Sequence, residues 1–184
     1  DNSPDQTAKK VKALQEEFPE RLFMESREKK SGLGTAYVHG FKWALERHYD
    51  YIFEMDADFS HNPNDLEKLY DACRFGIYDM SIGSRYVTGV NVVNWPLSRV
   101  LLSYFASVYV RMITGMQIQD TTAGFVCYKR NVLQGINLDK IKFIGYAFQI
   151  EMKYRAFAKK FKIVEVPIIF TDRTKGQSKM SNSI

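Results

Sequence analysis

Asp56 and Asp58 stand two residues apart where an apolar run, Tyr51 to Met55, gives way to a polar loop. Two carboxylates at that spacing can converge on one hard cation. Mg²⁺ or Mn²⁺ would hold them together and bridge to substrate phosphates. Without a cation their mutual repulsion is unfavourable. The alternative is a solvated loop start with Asp58 as a turn residue, because paired acids of this kind are common. The following Phe59-Ser60-His61-Asn62-Pro63 supplies further oxygen and nitrogen donors in a constrained turn, and so favours the metal.

Four other clusters carry residue types suited to phosphate. Gly32-Leu33-Gly34 opens a helix and would let backbone approach a phosphate or a sugar. It fails the dinucleotide pattern, since Tyr37 stands where a third glycine belongs, and no Walker lysine follows. Gly83-Ser84-Arg85 follows a strand-like run, and Asn94-Trp95-Pro96-Leu97-Ser98-Arg99 follows a Gly/Asn-rich loop. Arginine suits bidentate phosphate contacts, with surface salt bridging as the alternative. Gln119-Asp120-Thr121-Thr122-Ala123-Gly124 is a polar turn in which Asp120 either caps the chain or acts on a substrate. Asp172-Arg173-x-x-Gly176-x-Ser178-Lys179 follows the apolar run Ile163 to Phe170, and reads as a solvated charge run or a closing phosphate clamp.

These clusters sit between recognisable elements. Val11, Leu14 and Phe18 line one face of a predicted helix over Thr7 to Phe18, ended by Pro19. Leu22 to Glu25 reads as a short strand and Gly34 to Arg47 as a second helix. A strand over Tyr51 to Met55 precedes a helix over Asp65 to Phe75 capped by Asn64, and Tyr78 to Gly83 is strand-like again. The alternation predicts an α/β, Rossmann-like, mostly parallel sheet flanked by helices. Ligands of such sheets bind beyond the carboxyl ends of the strands, where Asp56 and Asp58 fall. A chain of 184 residues is expected to form one domain over 1–184. The turn-like Asp1-Asn2-Ser3-Pro4-Asp5 and the polar Gln177 to Asn182 read as cut ends, with a first strand missing.

Hydrophobic residues at 45% and charged residues at 26% exclude disorder and fibrous structure. The net charge of +5 is concentrated: Lys153 to Ile184 holds 8 Lys/Arg against 2 Asp/Glu. A positive end favours an anionic partner. The acidic loop fits nucleic acid poorly. Cys73 and Cys127 lack metal-ligand spacing and read as reduced core thiols, which implies a reducing, cytoplasmic compartment. Leu97 to Met116 carries apolar residues nearly all round a helix, flanked within by Arg99 and Arg111. That pattern is open to two readings, a core helix or a helix lying on a membrane face. The stretch between the two arginines is too short to span a bilayer.

Taken in order, these motifs resemble the family 2 glycosyltransferases of GT-A fold, and within them the polyprenol-phosphate (dolichol-phosphate) mannosyltransferase group. The resemblance runs from Asp1-Asn2-Ser3-Pro4-Asp5 through Lys30-Ser31-Gly32-Leu33-Gly34-Thr35-Ala36 and Asp56-Ala57-Asp58-Phe59-Ser60-His61-Asn62-Pro63. It continues through Gly83-Ser84-Arg85-Tyr86, Asn94-Trp95, Arg99, Asp120-Thr121-Thr122-Ala123-Gly124-Phe125 and Gly145 to Glu151, and ends in Val166 to Lys179. It implies inverting transfer of a hexose, mannose from GDP-mannose, from a nucleotide-sugar donor to a polyprenyl monophosphate, by an enzyme peripheral to the cytoplasmic face of a membrane. A UDP-glucose-dependent enzyme and a non-catalytic nucleotide-sugar-binding subunit are the alternatives. By the same resemblance, Asp56 lies near the ribose and the metal, Asp58 ligates the metal, and Asp1 contacts the base. Arg85, Arg99, Ser103 and Arg173 handle phosphate or acceptor, and Asp120 is a base or orients an arginine. Ser60 stands where some relatives place a Gln in the metal shell, and Ala123 replaces a more usual Ser.

Overall fold

The computed structural model describes residues 6–29 and 31–172. Helix α1 (Thr7–Glu17) leads to α2 (Leu33–Glu46), β1 (Tyr51–Glu54), α3 (Asp65–Arg74) and β2 (Met80–Ser84). The two-residue β3 (Val92–Val93) precedes α4 (Leu97–Thr114), β4 (Val126–Lys129) and α5 (Arg130–Gly135). A 3₁₀ turn (Leu138–Lys140), α6 (Ala147–Ala158), β5 (Ile163–Pro167) and β6 (Phe170–Thr171) complete the order.

The main sheet runs β1-β4-β2-β5. β2 and β5 pair in parallel, whereas β4 is antiparallel to both β1 and β2. The expected α/β sheet is therefore present, but mixed. Three strands point one way and β4 is inserted against them, which makes two of the three pairings antiparallel. Glu54, Val126, Ile82 and Glu165 form one row across it. The loops after β1 and β2 and the turn before β4 consequently emerge at the same edge.

Side chains alternate between two cores, as the pleat requires. Ile52, Met80, Ile82, Val126 and Tyr128 face α2, α5 and α6, meeting Phe41, Val132, Leu133, Phe148 and Met152. Cys127 and Phe125 face the other way, onto Leu69 and Cys73 of α3. Each of these buried aliphatic side chains contributes about 1.5–3 kcal/mol. Both cysteines are buried free thiols, as expected.

Two local expectations are corrected. Leu22 to Glu25 joins no ladder among the described residues; Phe23 instead packs its ring 5.3 Å from Trp43, and the Leu22 carbonyl accepts a bond from Gln15 Nε2. Asn64 makes no side-chain cap, because its backbone is already helical; the turn is held one step earlier, where Asn62 Oδ1 accepts the Asn64 N–H. The positive charge concentrated from Lys153 onward is not all at the surface, and the charge run from Arg173 to Lys179 lies outside the described residues. Lys153 itself is buried and Arg155 is paired with Glu151 at 2.7 Å.

Gly32 and Gly34 owe their places to packing. Gly32 has φ 97°, and the Gly34 N–H donates to the Ile144 carbonyl at 2.9 Å. A Cβ on Gly34 would stand 2.5 Å from the Phe143 carbonyl oxygen and 2.8 Å from Phe148 Cδ2. Gly34→Ala is expected to lower stability by about 1–3 kcal/mol, read from the urea midpoint. An unchanged midpoint would mean that the segment before α6 yields freely.

Candidate active site

Arg85 leaves the end of β2 directly into a buried ion pair. Its Nε lies 2.7 Å from Asp120 Oδ2 and its Nη2 lies 2.6 Å from Asp120 Oδ1. The Arg85 backbone N–H also donates to Oδ2 at 3.0 Å, and Nη2 reaches Thr122 Oγ1 at 2.9 Å. Both residues are buried. Burial alone would raise the Asp120 pKa, but the hydrogen bonds and charge of Arg85 outweigh it and hold the carboxyl below its usual range. Burial would likewise lower Arg85, and Asp120 reverses that. With both oxygens engaged, Asp120 fixes the guanidinium's position.

The turn carrying Asp120 is held from two further sides. Glu165 of β5 accepts the backbone N–H groups of Gln119 at 2.7 Å and Asp120 at 2.9 Å. Lys153 of α6 donates to the Ala123 carbonyl at 2.6 Å. Arg99, from the first turn of α4, pairs with Asp172 at 3.1 Å. Burial pushes the Tyr86 phenol pKa up, and its ring stands edge-on to Tyr104 of α4 at 5.7 Å.

Across the same edge runs the acidic loop. Asp58 Oδ1 accepts the Ser60 N–H at 3.1 Å, and Tyr37 Oη donates to Asp56 Oδ1 at 3.4 Å. Phe59 takes φ 64° between them, a strained turn for a non-glycine residue. Ser60 Oγ and His61 Nδ1 are buried and have no hydrogen-bond partner. Burial lowers the His61 pKa against the opposing pull of Asp56 and Asp58, so the imidazole is neutral at pH 7. Among the described residues no three His, Cys, Asp or Glu side chains converge into a cage. The donor set, two carboxylates beside a hydroxyl, fits an ion of the Mg²⁺ type. Such ions keep water and take substrate phosphates as the remaining ligands.

The structure thus brings Arg85 to Asp120 and Arg99 to Asp172, and gathers Asp56, Asp58 and Ser60 in one loop. Gly32 and Gly34 sit against the segment before α6. Asp1, Arg173 and Lys179 lie outside the described residues. Sequence reasoning missed Glu165, Lys153 and Glu54. Glu54 had a signal, a charged residue inside the apolar Tyr51–Met55 run, and Lys153 stands one helical turn after Gln149.

An α/β sheet that opens an acidic loop and two arginines at one edge has the form of an enzyme handling phosphorylated ligands. The family model "Glycosyl transferase family 2" matches residues 1–136, and the chain belongs to that family. It is 47% identical over 183 residues to polyprenol monophosphomannose synthase of Mycolicibacterium smegmatis, covering 100% of this chain and 69% of the relative. Identity is 45% over 184 residues to undecaprenyl-phosphate mannosyltransferase of Micrococcus luteus, covering 100% and 74%. It is 37% over 182 residues to dolichol-phosphate mannosyltransferase of Pyrococcus furiosus, covering 98% and 49%. The fold matches glucosyl-3-phosphoglycerate synthase of Mycobacterium tuberculosis in complex with phosphoglyceric acid. The TM-score is 0.62 at 16% identity, over 96% of this chain and 59% of that one. The same enzyme with Mg²⁺ and uridine-diphosphate gives a TM-score of 0.60 at 16% identity, over 96% and 58%. The chain therefore spans less than two thirds of those solved structures, and the likeness establishes the GT-A fold.

Because the folded Asp120 pKa is depressed, its pairing contributes stability that is in place above about pH 4 and is lost as pH falls through the lowered value. Asp120→Asn is expected to cost about 3–5 kcal/mol at pH 7, by leaving Arg85 buried and unpaired. In urea melts the gap to wild type should shrink at pH 3. An equal gap at both pH values would show that charge is not what Asp120 contributes.

Proposed function

We propose that the chain transfers mannose from GDP-mannose to a polyprenyl monophosphate, with inversion at the anomeric carbon. The observation that carries this reading is the meeting, at one sheet edge, of the Asp56–Asp58 loop with the carboxylate-anchored Arg85 and Arg99. The names of the relatives support the substrate class. A phosphate monoester has a second pKa of about 6, so at neutral pH it is largely a dianion and already nucleophilic. It needs cations to bring it near an anionic donor more than it needs a base. Arg85 and Arg99 hold that dianion, and Asp120 orients Arg85 and does not accept a proton. An acceptor oxygen forms a bond to the anomeric carbon while the bond from that carbon to the diphosphate breaks on the opposite face. Asp56 and Asp58, with Ser60, would hold the divalent ion, which when bound neutralises charge on the departing nucleoside diphosphate. Asp1, Gly32, Gly34 and Lys179 belong to the donor side of this reading, and Ser103 and Arg173 to the phosphate or acceptor side.

The acceptor's tail stays in a bilayer, so the site must work at a membrane face. Among the described residues no helix is long and apolar enough to cross one. α4 offers a different contact. Only Ser107 of its 18 residues is buried, while Leu97, Phe105 and Met112 are 71%, 60% and 79% exposed. Of its two readings, the core helix does not fit this exposure, and we assign α4 to the headgroup layer on the cytoplasmic side.

The metal role is tested by titrating GDP-mannose with and without chelator, and against Asp58→Ala. Affinity should fall at least tenfold in both cases, and unchanged affinity would overturn it. A larger thermal shift with UDP-glucose than with GDP-mannose would replace the donor. For the membrane role, the intact protein should sediment with anionic vesicles at low salt. Phe105→Asp should weaken both sedimentation and transfer to a lipid acceptor. If it changes neither, α4 does not face the membrane.

A further inference from the structure

Trp95 lies between β3 and α4, entered through Asn94 at φ 64°. Its indole touches both arginines of the site. The guanidinium carbon of Arg99 is 4.0 Å from the ring centroid and that of Arg85 is 5.2 Å away. Each cation is tied to its own carboxylate, Asp172 or Asp120, and the indole joins the two pairs. Phe170 packs edge-on against Trp95 at 5.3 Å and lies 5.6 Å from Arg85. Like-charged guanidiniums repel, and an aromatic face attracts each of them, so the ring favours a spacing that the charges alone oppose.

The Trp95 Nε1 is buried and has no hydrogen-bond partner. An indole nitrogen can only donate, and its neighbours Arg85 and Arg99 offer no acceptor. A buried donor without a partner is costly and calls for an explanation. The other side of Phe170's surroundings repeats the pattern: the His61 ring lies 5.2 Å from Phe170, and its Nδ1 is also unpartnered. Two cations and an N–H donor together suit a ligand that accepts hydrogen bonds and carries negative charge. A phosphate monoester dianion offers an acceptor to the N–H and negative charge to both guanidiniums, whereas a neutral alcohol offers the acceptor without the charge.

We propose that Trp95 binds the acceptor phosphate: its indole N–H donates to a phosphate oxygen, and its face sets Arg85 and Arg99 at the spacing that lets both grip one dianion. This rests on reading the two arginines as acceptor-phosphate ligands. It predicts a tighter hold on the acceptor without any hold on the donor, and a ring that reports directly on occupancy.

The intact enzyme carrying Trp95→Leu or Trp95→Phe tests it. Trp95→Leu should raise the KM for polyprenyl phosphate about tenfold, as loss of a hydrogen bond to a charged group does, with GDP-mannose affinity within twofold. Trp95→Phe keeps an aromatic face and loses the N–H, and should fall between. A Trp95→Phe KM equal to wild type overturns the N–H contact, and equal losses of donor and acceptor affinity overturn the assignment to the acceptor. Trp43 lies on α2 against Phe23 and Tyr49, so the part of the Trp43→Phe emission that is lost when Trp95→Leu is added reports Trp95. A short-chain prenyl phosphate should change that emission saturably and the matching prenol should not. No response to the phosphate overturns the site. An equal response to inorganic phosphate overturns the acceptor as its ligand. A selective response to prenyl phosphate without mannosyl transfer upholds the site and instead overturns the transfer reading.

Discussion

The buried pair of Arg85 and Asp120 is the constraint from which the rest of the site is hung. Taking a guanidinium and a carboxylate out of water is expensive, and mutual attraction offsets that only where the remaining hydrogen-bonding capacity is also met. Here the carboxylate's two oxygens are both engaged: Asp120 accepts from Nε, Nη2 and the Arg85 backbone N–H, and Thr122 takes up Nη2 as well. The geometry therefore cannot shift one partner without exposing the other to an unpaired charge. Since Arg85 ends β2 and Asp120 sits in the turn before β4, the pair also fixes how that turn meets the sheet. Glu165 on β5 repeats the logic through backbone N–H groups, so three strands contribute to the placement of one guanidinium.

A second buried polar cluster links this turn to the acidic loop. Tyr128 Oη donates to Glu54 Oε1 at 3.1 Å, and Gln149, in the amide orientation that satisfies both its ends, donates to Glu54 Oε1 at 2.7 Å and to the Ala123 carbonyl at 3.2 Å. Lys153 bonds the same carbonyl. Burial pushes the Glu54 carboxyl up and the Lys153 ammonium down, and each charge opposes the shift of the other. Glu54 closes β1 two residues before Asp56, and Ala123 lies three residues after Asp120. α6 thus bridges the strand that aims the carboxylates and the turn that aims the arginine. A network of this kind restricts the relative placement of two loops that share no backbone ladder.

Local patterns made the site's parts legible in the sequence, and non-local contacts assembled them. The apolar run that ends in Asp56 and Asp58 disclosed β1, and an alternation of strands and helices made its carboxyl end the candidate for a ligand. The helices α2, α3 and α4 followed from apolar spacing, with bounds within about two residues. Strand direction did not. Val126 to Lys129 reads as a strand whichever way it runs, and its reversal is what delivers Asp120 to Arg85. Leu22 to Glu25 has strand composition, but a strand exists only through a ladder partner. Lys153 counts as one more positive charge in the sequence; its burial depends on the Ala123 carbonyl thirty residues away. The resemblance to a family implied residue roles that spacing alone left open, and it still left Asp120 as a base or as the residue that orients an arginine.

The exposed face of α4 and the anchored arginines belong to one physical problem. A polyprenyl phosphate offers a dianion attached to a chain that will not leave hydrocarbon, so its nucleophile can reach a water-filled site only at the interface. Arg99 stands in the first turn of the helix whose outer face is apolar, and its guanidinium packs on Trp95, which also touches Arg85. A helix lying on the headgroup layer would therefore place cations and indole at phosphate depth while its aliphatic side chains meet the acyl region. The acidic loop stands across the sheet edge, joined to this side through Ser60, whose carbonyl accepts the Thr171 N–H of β6 at 3.1 Å. The division follows from charge. On the proposed reading, cations beside a membrane would draw in the dianionic acceptor, and carboxylates across the sheet edge would repel any phosphate not accompanied by a divalent ion. The proposed reading thereby assigns a lipid phosphate to one side of the fold and a metal-bound nucleoside diphosphate to the other.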